Sequence, residues 1–239
     1  MFLQYRSQGF ILQTEIRGEA DKILKVFTRK FGKIGVLAKA IRKLDSKLKS
    51  QAELFCLAEI EFIQGKSGKT LTDAVVLEKF QNTKNDLSKL RLAANFGQIF
   101  CSLVKNGQPD KALWILLTEF SQLLNKEELP GDKAFLFYQF FFWNLLRVLG
   151  YGPELYRCLL CSKTIAPPKI YWSNAGGGLV CPSCVSRTAV KTEMLSAETI
   201  KVLRLLFRQE WGIVKRVKLS PGMNLELKTI SQKYLNLIQ

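Results

Sequence analysis

DKILKVFTRKFGKIGVLAK, residues 21–39, reads as two β-strands joined by a turn. Asp21–Lys30 is rich in strand-forming residues and alternates at period two. Lys25, Phe27 and Arg29 then share one face, with Leu24, Val26 and Thr28 on the other. Gly32 and Lys33 make the turn, and Lys33–Ile41 is the next strand. Working outward, Phe10–Glu15 precedes the pair, and Leu54–Gln64 and Thr70–Phe80 follow it, with Gly65 and Gly68 in the loop between them. Five short strands in so compact a stretch predict a small closed or nearly closed barrel. An OB-type barrel fits the count, and strand spacing alone does not separate it from an SH3-like one.

Beyond Asn82 the apolar period becomes helical. Lys84–Lys105, Asp110–Lys126 and Asp132–Leu149 are three helical patterns, broken at Asn106-Gly107 and Pro130-Gly131. Asp110 and Asp132 stand where N-caps are wanted, and Gly150 where a helix-ending glycine belongs. A second helical set follows later, Ala197–Gln209 with Ser196 as its N-cap, then a helix after Pro221 reaching near Leu237. The simplest packing joins the helices on either side of the intervening insert into one unit. The most apolar run, Ala134–Leu149, is interrupted by Gln139, Asn144 and Arg147 and falls short of the roughly 20 apolar residues of a membrane span. It reads as a buried core helix. The N-terminus carries no basic segment followed by a long apolar one, so no secretory signal is expected. A reducing cytoplasmic setting follows, in which paired cysteines bind metal more readily than they form disulfides.

The insert holds the strongest motif. Cys158-Leu-Leu-Cys161 and Cys181-Pro-Ser-Cys184 are two C-x2-C pairs, 19 residues apart. Each pair can turn both sulfurs toward one ion, and two pairs close a tetrahedron with no open position, the mark of a structural rather than catalytic site. Ile170–Ser173 and Gly178–Val180 fit the strands of a zinc-ribbon hairpin turned by Gly176-Gly177-Gly178. Zn2+ at Cys158, Cys161, Cys181 and Cys184 is therefore expected. An iron–sulfur cluster also takes four thiolates and stays open as an alternative. Cys56 and Cys101, isolated on apolar runs, read as buried packing residues.

The charge points to a polyanion. There are 36 Lys+Arg against 20 Asp+Glu, a net +16. Residues 17–49 hold 11 Lys+Arg and 3 Asp+Glu, whereas residues 81–157 hold 9 and 7. The positive field thus belongs to the barrel and, with 8 against 2 in residues 201–239, to the C-terminal helices. Lys25, Phe27 and Arg29 form a cationic face with a ring suited to single-stranded nucleic acid. Lys30, Lys33, Lys39, Arg42, Lys43, Lys47 and Lys49 extend it along the hairpin and the following loop. Histidine is absent, which removes the Ser-His-Asp and Cys-His mechanisms. No G-x-x-x-x-G-K-[ST] loop is present, and carboxylates are scarce in the basic regions, against a metal-dependent nuclease. A binding protein without catalytic activity or small-molecule substrate is expected. An RNA-binding or ribosome-associated OB and zinc-ribbon module is the alternative.

The run Gly18-Glu19-Ala20-Asp21-Lys22-Ile23-Leu24, then Phe27-Thr28-Arg29, Gly32-Lys33 and Val36-Leu37-Ala38-Lys39, resembles the N-terminal signature of the bacterial RecO family of DNA repair proteins. The order that follows, helices, a four-cysteine insert and more helices, resembles it too, so the likeness spans essentially the whole chain. It implies an α+β multidomain architecture: an OB-fold DNA-binding domain over 1–80, a helical domain in two parts, 81–157 and 191–239, and a zinc-ribbon insert over 158–190. It further implies a recombination mediator of the RecF pathway that binds single- and double-stranded DNA, anneals complementary strands and works with RecR to load RecA. The acidic C-terminal tail of single-strand-binding protein is implied to dock on the helical domain, for which Lys201, Arg204 and Arg208 are candidate receivers. The implied location is the bacterial cytoplasm, at the nucleoid. One departure concerns the turn after Lys39. The family often has Gly and Ala followed by Arg, whereas this chain reads Ala40-Ile41-Arg42-Lys43, so a different turn is expected.

Overall fold

The computed structural model of the chain describes residues 3–66, 68–165, 169–173, 175–187, 191–208 and 210–239. The chain forms two compact units, Met1–Glu128 and Leu129–Gln239. Gln209, used above to bound the helix after Ser196, lies outside the described residues.

The first unit opens with β1 (Gln4–Arg17), β2 (Asp21–Thr28) and β3 (Gly32–Ala38). A loop with the short helix α1 (Leu48–Gln51) leads to β4 (Leu57–Gly65) and β5 (Gly68–Glu78). These strands close a barrel in the order β1-β2-β3-β5-β4. β3 and β5 pair in parallel at Val36–Lys69 and Leu37–Thr70, and all other pairs are antiparallel. This is the OB-type five-stranded Greek-key arrangement. Alternation explains the interior: Leu24 and Val26 of β2, Ile34, Val36 and Ala38 of β3, and Ala58, Ile60 and Phe62 of β4 point inward and are buried.

Helices α2 (Gln81–Asn85), α3 (Leu87–Leu103) and α4 (Lys111–Lys126) complete the unit. Asp86 caps α3 and Asp110 caps α4, each carboxylate accepting from first-turn backbone N–H groups. α3 approaches β1 closely enough that a Cβ on Gly97 would stand 3.0 Å from the Leu12 carbonyl oxygen. The loop after α3 is stitched to β3: the Gly107 N–H donates to the Lys33 carbonyl at 2.9 Å. A Cβ at Gly32, whose φ is +63°, would fall 2.2 Å from the Gln108 carbonyl, so only glycine fits there.

The turn after β3 carries stored strain. Ala40 has φ +54°, a left-handed conformation that glycine adopts freely and alanine does not. It is held there because the Ala40 N–H donates to Asp21 Oδ1 at 2.8 Å and the Arg42 N–H donates to the Ala20 carbonyl at 3.0 Å. The left-handed conformation costs roughly 1–2 kcal/mol for alanine, part of which glycine returns through its larger unfolded-state entropy. Ala40→Gly is therefore expected to stabilise the protein by about 0.5–1 kcal/mol and raise Tm by about 2 °C. An unchanged or lowered Tm would show that the turn carries no such strain.

The second unit contains α5 (Asp132–Val148), β6 (Ile170–Ser173), β7 (Gly178–Val180), α6 (Pro182–Val185), β8 (Thr192–Leu195), α7 (Ala197–Leu206), α8 (Trp211–Val214) and α9 (Pro221–Ile238). α5 is its core, with Leu136, Phe137, Phe140, Phe141, Trp143, Leu145 and Leu146 all buried. Its polar interruptions are cross-helix ties. Asn144 Nδ2 donates to the Leu206 carbonyl at the end of α7 at 2.8 Å, and Gln139 Oε1 accepts from Ser231 Oγ of α9 at 2.6 Å. Among the described residues no helix is long and apolar enough to cross a membrane. Asp132 lies in the first turn of α5, and the N-cap position expected for it belongs to Gly131. Gly150, at φ +85°, ends the helix: its N–H reaches the Arg147 carbonyl and that of Tyr151 reaches Leu146, a Schellman closure. α5 packs with α7 and α8, whereas α3 and α4 belong to the barrel unit. The helix just before the insert thus packs with helices after it, and the expectation is corrected only for α3 and α4, which do not join that unit. The apolar faces of α3 and α4 are spent on barrel aromatics instead.

Candidate metal centre and nucleic-acid interface

The four sulfurs come together. Cys158 sits in a tight turn in which the Ser162 N–H donates to its carbonyl at 2.9 Å, with Ser162 at φ +58°. The second knuckle opens α6, where the Cys184 and Val185 N–H groups both donate to the Cys181 carbonyl. A three-stranded sheet in the order β7-β6-β8 backs the knuckles. All four Sγ atoms lie within 4.8 Å of one another, and Cys161 and Cys181 are 3.8 Å apart. A tetrahedron with metal–sulfur distances of about 2.3 Å has edges of about 3.8 Å, so the cage fits a single ion. Cys158 is buried and Cys161 exposed.

The protonation of the set expresses the same crowding. Burial raises the Cys158 thiol, but amide donors from Cys181, Cys161 and Leu160 outweigh it and bring it to about 6. Sulfur–hydrogen contacts with Cys181 and Cys161 push Cys184 up to about 12. Four thiolates at one point repel, and a divalent cation removes that conflict. Cys56 and Cys101 differ: burial pushes each up to about 11, so at neutral pH they are thiols packed in the first unit.

The ribbon is anchored by aromatic packing. Trp172 of β6 meets Trp143 of α5 at 6.2 Å and Tyr234 of α9 at 5.8 Å between ring centroids. The Tyr234 hydroxyl donates to the Tyr151 carbonyl at 3.0 Å. Gly177 allows this: a Cβ there would lie 2.6 Å from that hydroxyl.

The barrel cations divide into groups. Lys25 pairs with Glu15 across the β1–β2 ladder, Nζ to Oε1 at 2.5 Å. Phe27 faces outward as alternation requires, yet it is wholly buried, because α3 and α4 cover that face. Its ring meets Phe100 at 5.0 Å and Trp114 at 6.5 Å, beside Phe10. The expected base-stacking ring is corrected on this ground: Phe27 is core. Lys33 is half-buried and donates its ammonium to the Cys101 carbonyl in the last turn of α3, so it ties strand to helix. Burial lowers its pKa.

Arg29 and Lys30 are exposed at the β2–β3 turn. Lys39, Arg42, Lys43, Lys47 and Lys49 are exposed at the opposite end of the β2–β3 hairpin, where Lys22 pairs with Ala38. At about 3.3 Å per residue, the length of β2 separates the two groups by about 20 Å. Two cations that sequence reasoning missed lie close to the second group. Lys22, near the start of β2, pairs with Ala38, and Lys69 enters beside Val36 through the parallel β3–β5 pairing, which no local pattern encodes. Lys66, in the β4–β5 turn, lies back toward the Lys33 end of β3, because β5 runs parallel to it. In an OB barrel the β2–β3 face and the β1–β2 and β4–β5 loops are where oligonucleotides are met.

Lys201 of α7 and Arg208, just beyond its end, are exposed, whereas Arg204 of α7 is committed. Its Nε and Nη2 donate to the Leu155 carbonyl at 2.9 and 2.6 Å, and its guanidinium stacks 4.6 Å over the Tyr156 ring.

Comparison with known proteins agrees with this anatomy. A family model described as Recombination protein O N terminal matches residues 1–80, and one described as Recombination protein O C terminal matches residues 84–237. A DNA repair protein RecO of Dehalococcoides mccartyi is 31% identical, covering 94% of this chain and 86% of its own length. The RecO of Moorella thermoacetica is 28% identical over 97% and 85%, and that of Alkaliphilus metalliredigens 26% over 96% and 92%.

Proposed function

Since this chain belongs to the RecO family of DNA repair proteins, we propose that it is a DNA-binding recombination mediator without catalytic activity. On this reading it anneals complementary single strands and, with RecR, assists the loading of RecA in the cytoplasm. The observation that carries the reading is the set of exposed cations around one end of the OB-type barrel, Lys39, Arg42, Lys43, Lys47 and Lys49, with half-exposed Lys22 beside Ala38 and half-exposed Lys69 beside Val36. Arg29 and Lys30 supply a second, smaller contact at the far turn. Annealing needs no hydrolysis. A cationic surface that holds two polyanions lowers their repulsion and raises their local concentration.

The domain assignment proposed is an OB-fold DNA-binding domain over 1–80, helical segments over 81–157 and 191–239, and a ribbon over 158–190. Cys158, Cys161, Cys181 and Cys184 would hold Zn2+, whose chemistry here is to fix the two knuckles while leaving no position for substrate. The single-ion size of the cage supports zinc over a multi-iron cluster. Lys201 and Arg208 are proposed to receive the acidic C-terminal tail of single-strand-binding protein. The function is tested by mixing complementary labelled oligonucleotides with the metal-loaded chain, without nucleotide. Faster annealing supports the reading, and an unchanged rate with no strand binding refutes it.

A further inference from the structure

β1 loses a neighbour halfway along its length. β4 pairs with it only over Gln4–Phe10, while β2 continues to Arg17. Among the described residues, then, the Gln13–Arg17 half has a strand partner on one side only. The chain that crosses this free side is the loop carrying α1, tied to β1 by reciprocal hydrogen bonds, Phe55 N–H to the Ile11 carbonyl at 2.9 Å and Ile11 N–H to the Cys56 carbonyl at 3.1 Å. Between strand and loop lies a groove of about 400 Å³, lined among others by Thr14, Ile16, Lys22, Arg42, Lys49 and Leu54. Glu53 also reaches it, but its carboxylate is paired with Lys84 Nζ at 2.5 Å, so the groove's free charge is positive.

Resting on the DNA-binding reading above, we propose that this groove seats one unpaired nucleotide of a single strand, its phosphate between Arg42, Lys49 and Lys22 and its base against Ile16 and Leu54. The volume lies in the range of small-ligand sites. The three cations come from three segments, β2, the turn after β3 and α1, and so surround a phosphate. Arg42 is aimed by its own contact, Nη1 to the Gly18 carbonyl at 3.4 Å. Ile16 is 68% exposed, a large apolar surface with no covering partner set among cations. An apolar plate beside phosphate-binding groups suits a base that has left its stack. A duplex keeps its bases paired inside and offers none. The groove therefore selects single strands over duplex, which a purely electrostatic surface does not.

The test uses the metal-loaded full chain and fluorescein-labelled oligothymidylate, read by anisotropy. Arg42→Gln with Lys49→Gln is expected to weaken binding roughly tenfold at 50 mM salt and flatten the slope of log K against log salt by about 1.4, two lost phosphate contacts. Ile16→Ala should weaken single-strand binding without changing that slope, and leave duplex binding unchanged. Arg29→Gln with Lys30→Gln, at the far turn, should cost no more than about threefold. All these side chains are exposed or half-exposed, so the fold is retained. If wild type binds and the groove variants bind equally well, the groove assignment is wrong while the broader reading stands. If wild type itself binds no oligonucleotide, the broader reading falls first.

Discussion

Cys158→Ser is expected to abolish stoichiometric zinc binding and lower Tm by about 10 °C or more. A serine oxygen is a poor ligand for this ion, and three remaining thiolates do not close the tetrahedron. Metal binding in a ribbon is folding free energy, roughly 10–16 kcal/mol in isolated zinc fingers at neutral pH. Even a loss of ~3 kcal/mol would shift Tm by about 10 °C in a chain of this size. The damage should spread, because the β7-β6-β8 sheet places Trp172 against Trp143 and Tyr234, which join α5 to α9. Near-ultraviolet circular dichroism from these rings should therefore collapse with the metal. Chelation of the wild type should do the same. A variant with unchanged Tm and unchanged aromatic dichroism would show that the ribbon folds without its ion.

Phe27→Ala should separate stability from binding in the opposite sense to a base-stacking residue. Phe27 is wholly buried against Phe100 and Trp114, and Phe100 in turn meets Phe96. Truncating such a ring costs about 3–5 kcal/mol, the lost transfer energy plus the cavity left behind. Thermal melts should show Tm lowered by roughly 10 °C. Oligonucleotide affinity, measured well below the transition, should stay within about twofold of wild type. Weakened binding with an unchanged melt would return the ring to the DNA face.

The error at Phe27 shows what sequence reading reaches and where it stops. Alternation correctly separates Leu24 and Val26, inside the barrel, from Lys25 and Phe27, outside it. It does not say that α3 and α4 cover that outer surface, because the covering residues Phe100 and Trp114 are more than 70 positions away. Lys33 is misread for the same reason, its partner being the Cys101 carbonyl. Features with local causes are legible. The caps at Asp110 and Ser196, the glycine closure at Gly150, and the ribbon strands Ile170–Ser173 and Gly178–Val180 all follow from nearest-neighbour chemistry. The four-sulfur cage is legible because the C-x2-C spacing is itself the geometry. α1, α6 and α8 span one turn each and are too short to display a period. β8 lies beyond the second knuckle, and its pairing with β6 is a tertiary choice. Lys69 comes beside β3, near the predicted basic loop, only once the barrel closes.

On the proposed reading, exposed barrel cations grip the phosphate chain of a single strand. Equilibrium titration of a labelled oligonucleotide with the zinc-loaded chain, repeated from 50 to 200 mM salt, tests it most directly. With about four phosphate contacts at roughly −0.7 each, log K should fall with log salt at a slope near −2.8, an affinity loss of about 50-fold across that range. Affinity indifferent to salt, or no binding even at 50 mM, would contradict it.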